Sequence, residues 1–176
     1  MASGEEAQFT ALVQRQSRFV FRVAYAVLLN AADAEDVVQE TFLKLYRNRG
    51  WQNIENERAF LARVAWRIAV DHLPHSAERA NSLYTSADDV TDAPSSQPGP
   101  EQTLLAADRH SVVHSMIDAL PEELRLPLVL STSDELNSRE IGLVLGVREG
   151  TVRTRLQRAR QLLRQKLVTR EEVRHA

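Results

Sequence analysis

The chain has 176 residues, 43% of them hydrophobic and 26% charged, with a formal net charge of −2 and no cysteine. This length holds one large domain or two small ones, and the lack of cysteine excludes disulfides and thiolate-bound metal. No apolar run approaches the roughly 20 residues a bilayer-spanning helix needs, and the acidic, polar start MASGEEAQ lacks the basic-then-apolar pattern of a secretory signal, so a cytoplasmic protein is expected.

The first block reads as three helices. Residues Glu5 to Leu29 carry Phe9, Leu12, Val13, Phe19, Val20, Val23, Val27 and Leu28 in a stripe close to a 3.6-residue period. Asp33 is placed to cap a second helix, DAEDVVQETFLKLYRN, in which Val38, Phe42 and Leu45 share one face. Its acids at the start and bases at the end suit the helix dipole. Its outward face holds Asp36, Gln39, Glu40, Leu43 and Lys44, and an exposed Leu43 ringed by polar groups suggests a partner surface. The third helix, from about Glu57 to Leu73, turns Phe60, Leu61, Val64, Ala65, Ile68 and Leu73 inward and is expected to end at Pro74.

From Ser76 to about Glu101 the composition shifts to SADDVTDAPSSQPGP, rich in Ser, Asp and Pro. Such a segment buries too little apolar surface to offset the ordering of its backbone, which predicts a flexible linker. The second block follows. A helix is expected over Ser111–Ala119, then Pro121 at the first position of a helix over Glu122–Ser131 that Pro127 kinks. Asn137 and Glu140 form a capping box for the next helix, Gly146 ends it, and the last helix runs from about Glu149 to Val168. No segment sustains period-two alternation, so the fold is expected to be all-α, as two small helical domains joined by the linker.

Charge is divided unevenly along this plan. Residues 1–75 hold nine basic and nine acidic side chains, whereas residues 76–108 hold one basic and six acidic. From Arg139 to Arg170 there are nine Lys/Arg against two Asp/Glu, a local charge of +7. Two short helices meeting at Gly146-Val147, the second studded with arginine, read as a helix-turn-helix that faces an anion. Val152, Leu156, Ala159 and Leu163 form the inward stripe of the last helix, with Ile141, Leu145 and Val147 against it. Arg148, Glu149, Thr151, Arg153, Thr154 and Arg155 are left to point outward at the N-terminal end, which enters the major groove. An arginine there can donate two hydrogen bonds to guanine O6 and N7, and Glu149 can accept from cytosine N4. Arg158, Arg160 and Arg164, further along, suit phosphates.

The first block offers Trp51, Phe60 and Trp66 beside Arg58, Arg63 and Arg67, a set that suits stacking on unpaired bases with phosphate contacts alongside. Trp51, in the polar loop RGWQNIENE, is the better functional aromatic, and Phe60 is assigned to the core. His110 and His114 stand at i, i+4, but no glutamate sits between them and no third ligand is evident. With no phosphate-cradling glycine loop, nucleophile elbow or catalytic carboxylate pair, neither enzyme chemistry, metal nor cofactor is expected.

At these residues the chain resembles the extracytoplasmic-function (ECF) RNA polymerase sigma factors, group 4 of the sigma-70 family, over about Phe9–His75 and Val112–Leu167. DAEDVVQETFLKLYR is similar to the core-binding helix of sigma region 2, NERAFLARVAWRIAVDHL to the promoter-melting helix, and LPEELRLPLVL with SREIGLVLGVREGTVRTRLQRAR to region 4. The resemblance implies region 2 over 1–75, a linker over 76–106 and region 4 over 107–170. It implies that Asp36, Gln39, Glu40, Leu43 and Lys44 grip the β′ clamp of core RNA polymerase, with Phe42 as core support. Trp51, Gln52, Asn53, Arg58, Arg63, Trp66 and Arg67 would open and read the −10 element as single strand. Arg148, Glu149, Thr151, Arg153, Thr154, Arg155 and Arg158, in a helix-turn-helix over about 138–157, would read the −35 element as duplex. Partners implied are core polymerase through its β′ clamp and β flap, promoter DNA and an anti-sigma factor. The chain departs from the family in having Trp66-Arg67 for Arg-Asn, Pro74-His75 for paired arginines, Glu135 for glycine, and Gly142 for alanine, the last expected to weaken its helix by roughly 1 kcal/mol. The other reading is a helix-turn-helix regulator that does not act through core polymerase; it would need a receiver or ligand domain, and residues 1–75 show neither strands nor a phosphoacceptor setting.

Overall fold

The computed structural model describes residues 2–82, 111–132 and 136–175. Every regular element among them is a helix: α1 Ala2–Leu28, α2 Ala31–Asn48, α3 Glu57–Ser82, α4 at 111–118, α5 Glu122–Ser131, α6 Ser138–Leu145 and α7 Glu149–His175. None of those described is long and apolar enough to cross a membrane.

The first block is built on α1. Leu12, Phe19, Val20, Val23 and Val27 recur at helical spacing, and all are buried against α2 and α3. Leu29 breaks the helix by adopting a φ of 52°, and its N–H still reaches the Tyr25 carbonyl at 2.8 Å. The cap of α2 is Asn30, whose side chain accepts the Asp33 N–H at 3.0 Å. Asp33, expected as the cap, sits three positions in and is buried. The helix closes on Arg49 in the left-handed region, with its N–H shared between the Leu45 and Tyr46 carbonyls. In the same way Asn56 caps α3, its Oδ1 accepting the Ala59 N–H at 3.0 Å.

Pro74 does not end α3. The helix runs on to Ser82, because a proline removes one i→i−4 hydrogen bond and bends a helix without having to terminate it. Residues 76–82, expected in the linker, are therefore helical, and the rest of that segment lies outside the described residues. Similarly α5 continues through Pro127, while Pro121 stands one residue before its first turn, as the N-cap.

In the second block the capping box forms as expected: Asn137 Oδ1 accepts the Glu140 N–H at 3.0 Å and Glu140 Oε2 accepts the Asn137 N–H at 2.8 Å. Gly146 takes a φ of 68°, the left-handed conformation that spares glycine a Cβ clash. Gly142 is not merely a weak helix former. A Cβ there would lie 2.7 Å from the Val147 carbonyl oxygen, so the missing side chain lets the α6–α7 turn fold back onto α6.

The two blocks share a core. Leu126 of α5 is buried with Ala24, Ala26 and Val27 of α1 and with Ile68 and Ala69 of α3. Next to it the buried Arg125 guanidinium donates from Nε to the Ala26 carbonyl at 2.6 Å, and from Nη1 to the Asp118 and Leu120 carbonyls at 2.9 and 2.8 Å. Burial pushes this guanidinium down from its ordinary value, while Glu122 and Asp118 push it back.

Candidate nucleic-acid interface

The helix-turn-helix is α6, the turn at Gly146-Val147, and α7. Ile141, Val152, Leu156 and Ala159 are buried in its core, with Leu145, Val147 and Leu163 packed at the margin. This rotation exposes Arg148, Thr151, Arg153, Thr154 and Arg158, as well as Arg160 and Arg164. Glu149 is half-buried and forms an i,i+4 ion pair with Arg153, and the Thr154 hydroxyl donates to the Gly150 carbonyl at 3.0 Å. Arg155 departs from the expectation. Its side chain is only 28% exposed and lies 4.0 Å from Glu123, because this part of α7 faces α5 and the first block. The exposed cations are therefore Arg148, just before α7, with Arg153, Arg160 and Arg164 on one flank of the helix and Arg158 beside Thr151 and Thr154 on another.

In the first block, the loop after α2 carries Gln52 and Asn53 exposed, with Asn53 at a φ of 60°. Trp51 is half-buried, its ring 5.4 Å from Phe9 at an interplanar angle of 57°. It thus anchors the loop to α1 as well as bordering an open cleft of about 510 Å³ shared with Gln8, Arg15, Gln52, Asn53 and Glu57. Glu57 fixes the start of α3 to α1 through Arg15, which donates from Nε at 3.0 Å and Nη2 at 2.5 Å, and through Gln16 at 2.6 Å. The hydrogen bonds from Arg15 hold the Glu57 carboxyl below its usual range.

Along α3 the expected residues divide. Arg63 and Arg67 are exposed and one turn apart, a geometry suited to a backbone of phosphates. Arg58 is half-buried, with its guanidinium carbon 5.2 Å from the centre of the Phe19 ring, which commits part of its charge to packing. Trp66 is half-buried, and its Nε1 is buried without a hydrogen-bond partner among the described residues. It faces the second block across a cleft of about 330 Å³.

On α2, Asp36, Gln39, Glu40, Leu43 and Lys44 are all exposed, and Phe42 is buried. Leu43 is 54% exposed, and so, at 49%, is Tyr46, one turn further on. Tyr46 was not singled out from sequence, although the i, i+3 spacing from Leu43 places it on the same side. His72 Nε2 lies 2.8 Å from Glu40 Oε2 and ties this face to α3. Among the described residues no group of three His, Asp or Glu could hold a metal ion, and His110 of the i, i+4 pair lies outside them.

Residues 12–78 match the family described as Sigma-70 region 2, and residues 110–163 match Sigma-70 region 4. Among curated relatives, the ECF RNA polymerase sigma factor SigE of Mycolicibacterium smegmatis is 33% identical over 93% of this chain, which spans 64% of that protein's length. The sigma-H factor of Pseudomonas aeruginosa is 31% identical over 91% of this chain and 86% of its own. SigW of Bacillus subtilis, also an ECF factor, is 29% identical over 93% and 91%. In fold, the chain is similar to the sigma factor RpoE solved with the anti-sigma factor NepR from Bartonella quintana, with a TM-score of 0.68 at 15% identity over 93% of this chain and 96% of that one. It is similar also to CnrH solved with the cytosolic domain of CnrY, at a TM-score of 0.63 and 22% identity over 96% and 92%. The chain belongs to the sigma-70 family. Within that family it is an ECF RNA polymerase sigma factor.

Proposed function

We propose that this sigma factor, acting by binding rather than catalysis in the cytoplasm, divides promoter recognition between its two blocks. Residues 1–75, carried on by α3 to Ser82, bind core polymerase and open the −10 element. Residues 107–170 read the −35 element as duplex, and 76–106 join them. The observation that carries this reading is the exposure of Arg148, just before α7, and of Arg153 and Arg158 around its N-terminal turns, directly after a capped, glycine-closed turn. Arg153 is held by Glu149 in the free protein and can exchange that partner for a guanine edge or a phosphate. Arg63 and Arg67 would track the single strand while Gln52 and Asn53 meet its bases, with Trp51 holding their loop and offering its open edge for stacking.

The polymerase contact is assigned to Asp36, Gln39, Glu40, Leu43 and Lys44, supported by the exposure of all five and by the burial of Phe42 beneath them. The clamp of β′ is the partner proposed for this face and the β flap for the second block, and an anti-sigma factor is proposed as a regulator. Asp36→Lys with Glu40→Lys should abolish assembly with core polymerase while circular dichroism stays unchanged. Assembly at the original affinity would defeat the assignment of this face, and failure of the parent protein itself to assemble with core polymerase would favour a regulator that works without it. If Arg153 reads a guanine, Arg153→Ala should lower discrimination at one base pair by about 1–3 kcal/mol, whereas a phosphate contact would weaken all sequences alike.

A further inference from the structure

We propose that the C-terminal part of α7 is a self-association site, through which two copies of this chain pair by antiparallel helix packing. The match to Sigma-70 region 4 ends at residue 163, but α7 runs on to His175. Every residue from Arg164 to Val173 is exposed, and among them Leu167 and Val168 are 40% and 55% exposed. A helical extension of about a dozen residues with nothing packed on it is marginal in water. A partner laid along it would stabilise the helix and cover its apolar pair.

The side chains specify the partner. Arg164, Leu167, Val168 and Glu171 stand at i, i+3, i+4 and i+7, and so share one face of the helix. Their order is self-complementary about the midpoint between Leu167 and Val168, because each charge stands three residues beyond the apolar residue nearest to it. In an antiparallel pair with its two-fold axis at that midpoint, Leu167 meets Val168 of the second copy and Arg164 meets its Glu171, with each contact made twice. Lys166 then falls opposite Thr169 and Arg170 opposite Gln165, so no like charges between 164 and 171 oppose one another. A parallel pair would set Arg164 against Arg164 and Glu171 against Glu171, which destabilises. Neither Arg164 nor Glu171 forms an ion pair with a described residue, so both charges are open to a second copy. The midpoint lies roughly 22 Å along the axis from Arg153, at about 1.5 Å per residue, and pairing there leaves the N-terminal end of α7 uncovered. About ten residues a side fall short of the roughly 20–30 of a standard interface, so the dimer is a weak one.

The test is sedimentation equilibrium of the full chain, spanning roughly 10 μM to 1 mM, the range in which a weak complex dissociates. It contains neither DNA nor polymerase, so its outcome is independent of the promoter reading proposed above. The parent protein should rise in mass from one copy toward two at low salt, and fall back at high salt as the charge pairs are screened. Arg164→Glu and Glu171→Arg each turn both cross-pairs into like-charge contacts and should weaken the dimer roughly tenfold. The double variant carries the same charges in reversed order and should regain the association of the parent. Circular dichroism on all four proteins checks that the helix content is unchanged. A parent that stays a single copy throughout, single variants that associate as the parent does, or a double variant as weak as the singles would each overturn the proposal.

Discussion

The two blocks present a charged helix face by opposite means. In the first, three helices of 27, 18 and 26 residues bury one another along their length, and Val20, Val23, Val37 and Leu61 are fully inaccessible. The faces proposed for partners lie on the outer sides of α2 and α3, where Asp36, Leu43, Arg63 and Arg67 are exposed. In the second, α6 is only 8 residues long, well below the roughly 12–15 at which an isolated helix becomes even marginal. It is held by its ends: the Asn137–Glu140 box, the left-handed Gly146 and the close approach of the turn over Gly142. Long helices place function on a tolerant surface, and short ones make the site depend on caps and turns.

The largest expected effect asks whether these different constructions unfold as one body. Leu61 and Leu130 each have no exposed surface, one in each block, and truncation of either to alanine should cost about 2–5 kcal/mol. Because Leu126 and Arg125 tie the blocks together, urea unfolding followed by circular dichroism should give a single transition that both substitutions shift. Two transitions, each moved by only one of the variants, would separate the blocks.

Next comes Gly142→Ala. In an ordinary helix this change stabilises by about 1 kcal/mol, but here the new methyl group meets backbone at 2.7 Å and should destabilise by roughly 1–3 kcal/mol. A raised melting temperature would mean that the turn has room to shift. Loss of a cap should be smaller, about 1 kcal/mol for either Asn30→Ala or Asn137→Ala. The contrast lies in its reach: hydrogen exchange should spread across all of α6 in the Asn137 variant and stay within the first turn of α2 in the Asn30 variant. Equal spread in both would erase the distinction drawn between long and short helices.

Glu57→Gln should be the mildest change, since Arg15 and Glu57 are both partly exposed and such pairs contribute at most about 1 kcal/mol. Its signature is in the pH dependence. The folded-state pKa of Glu57 is depressed, so its contribution is present at neutral pH and fades as the pH falls through the ordinary carboxylate range and below it. The stability gap between the parent and Glu57→Gln should narrow on acidification, and a constant gap would remove Glu57 from the account.

Much of this architecture was legible in the residues. Helical periodicity placed Phe42 inward and Leu43 outward, and the Asn137–Glu140 spacing with Gly146 located α6 to the residue. The failures have identifiable causes. Asn30 and Asp33 are both good caps three residues apart, and local preference does not choose between them. Gly142 looked like a weak helix residue because propensity is a property of one helix, whereas the Val147 carbonyl arrives through the tertiary turn. Charge groups Arg155 with the outward residues, although it stands i+3 from Val152 and i−4 from Ala159, both buried, which already places it at the margin of the inward stripe beside Glu123 of α5 and Trp66 of α3. Arg125 was not singled out from sequence, because its partners are backbone carbonyls, which no sequence pattern marks.

Run-off transcription with purified core polymerase on genomic fragments tests the central claim most directly. The account predicts discrete transcripts that depend on this protein, with start sites preceded by two shared and regularly spaced sequence elements, and predicts that Asp36→Lys with Glu40→Lys abolishes them. Transcripts indistinguishable from those of core enzyme alone, or start sites with no common upstream elements, would contradict it.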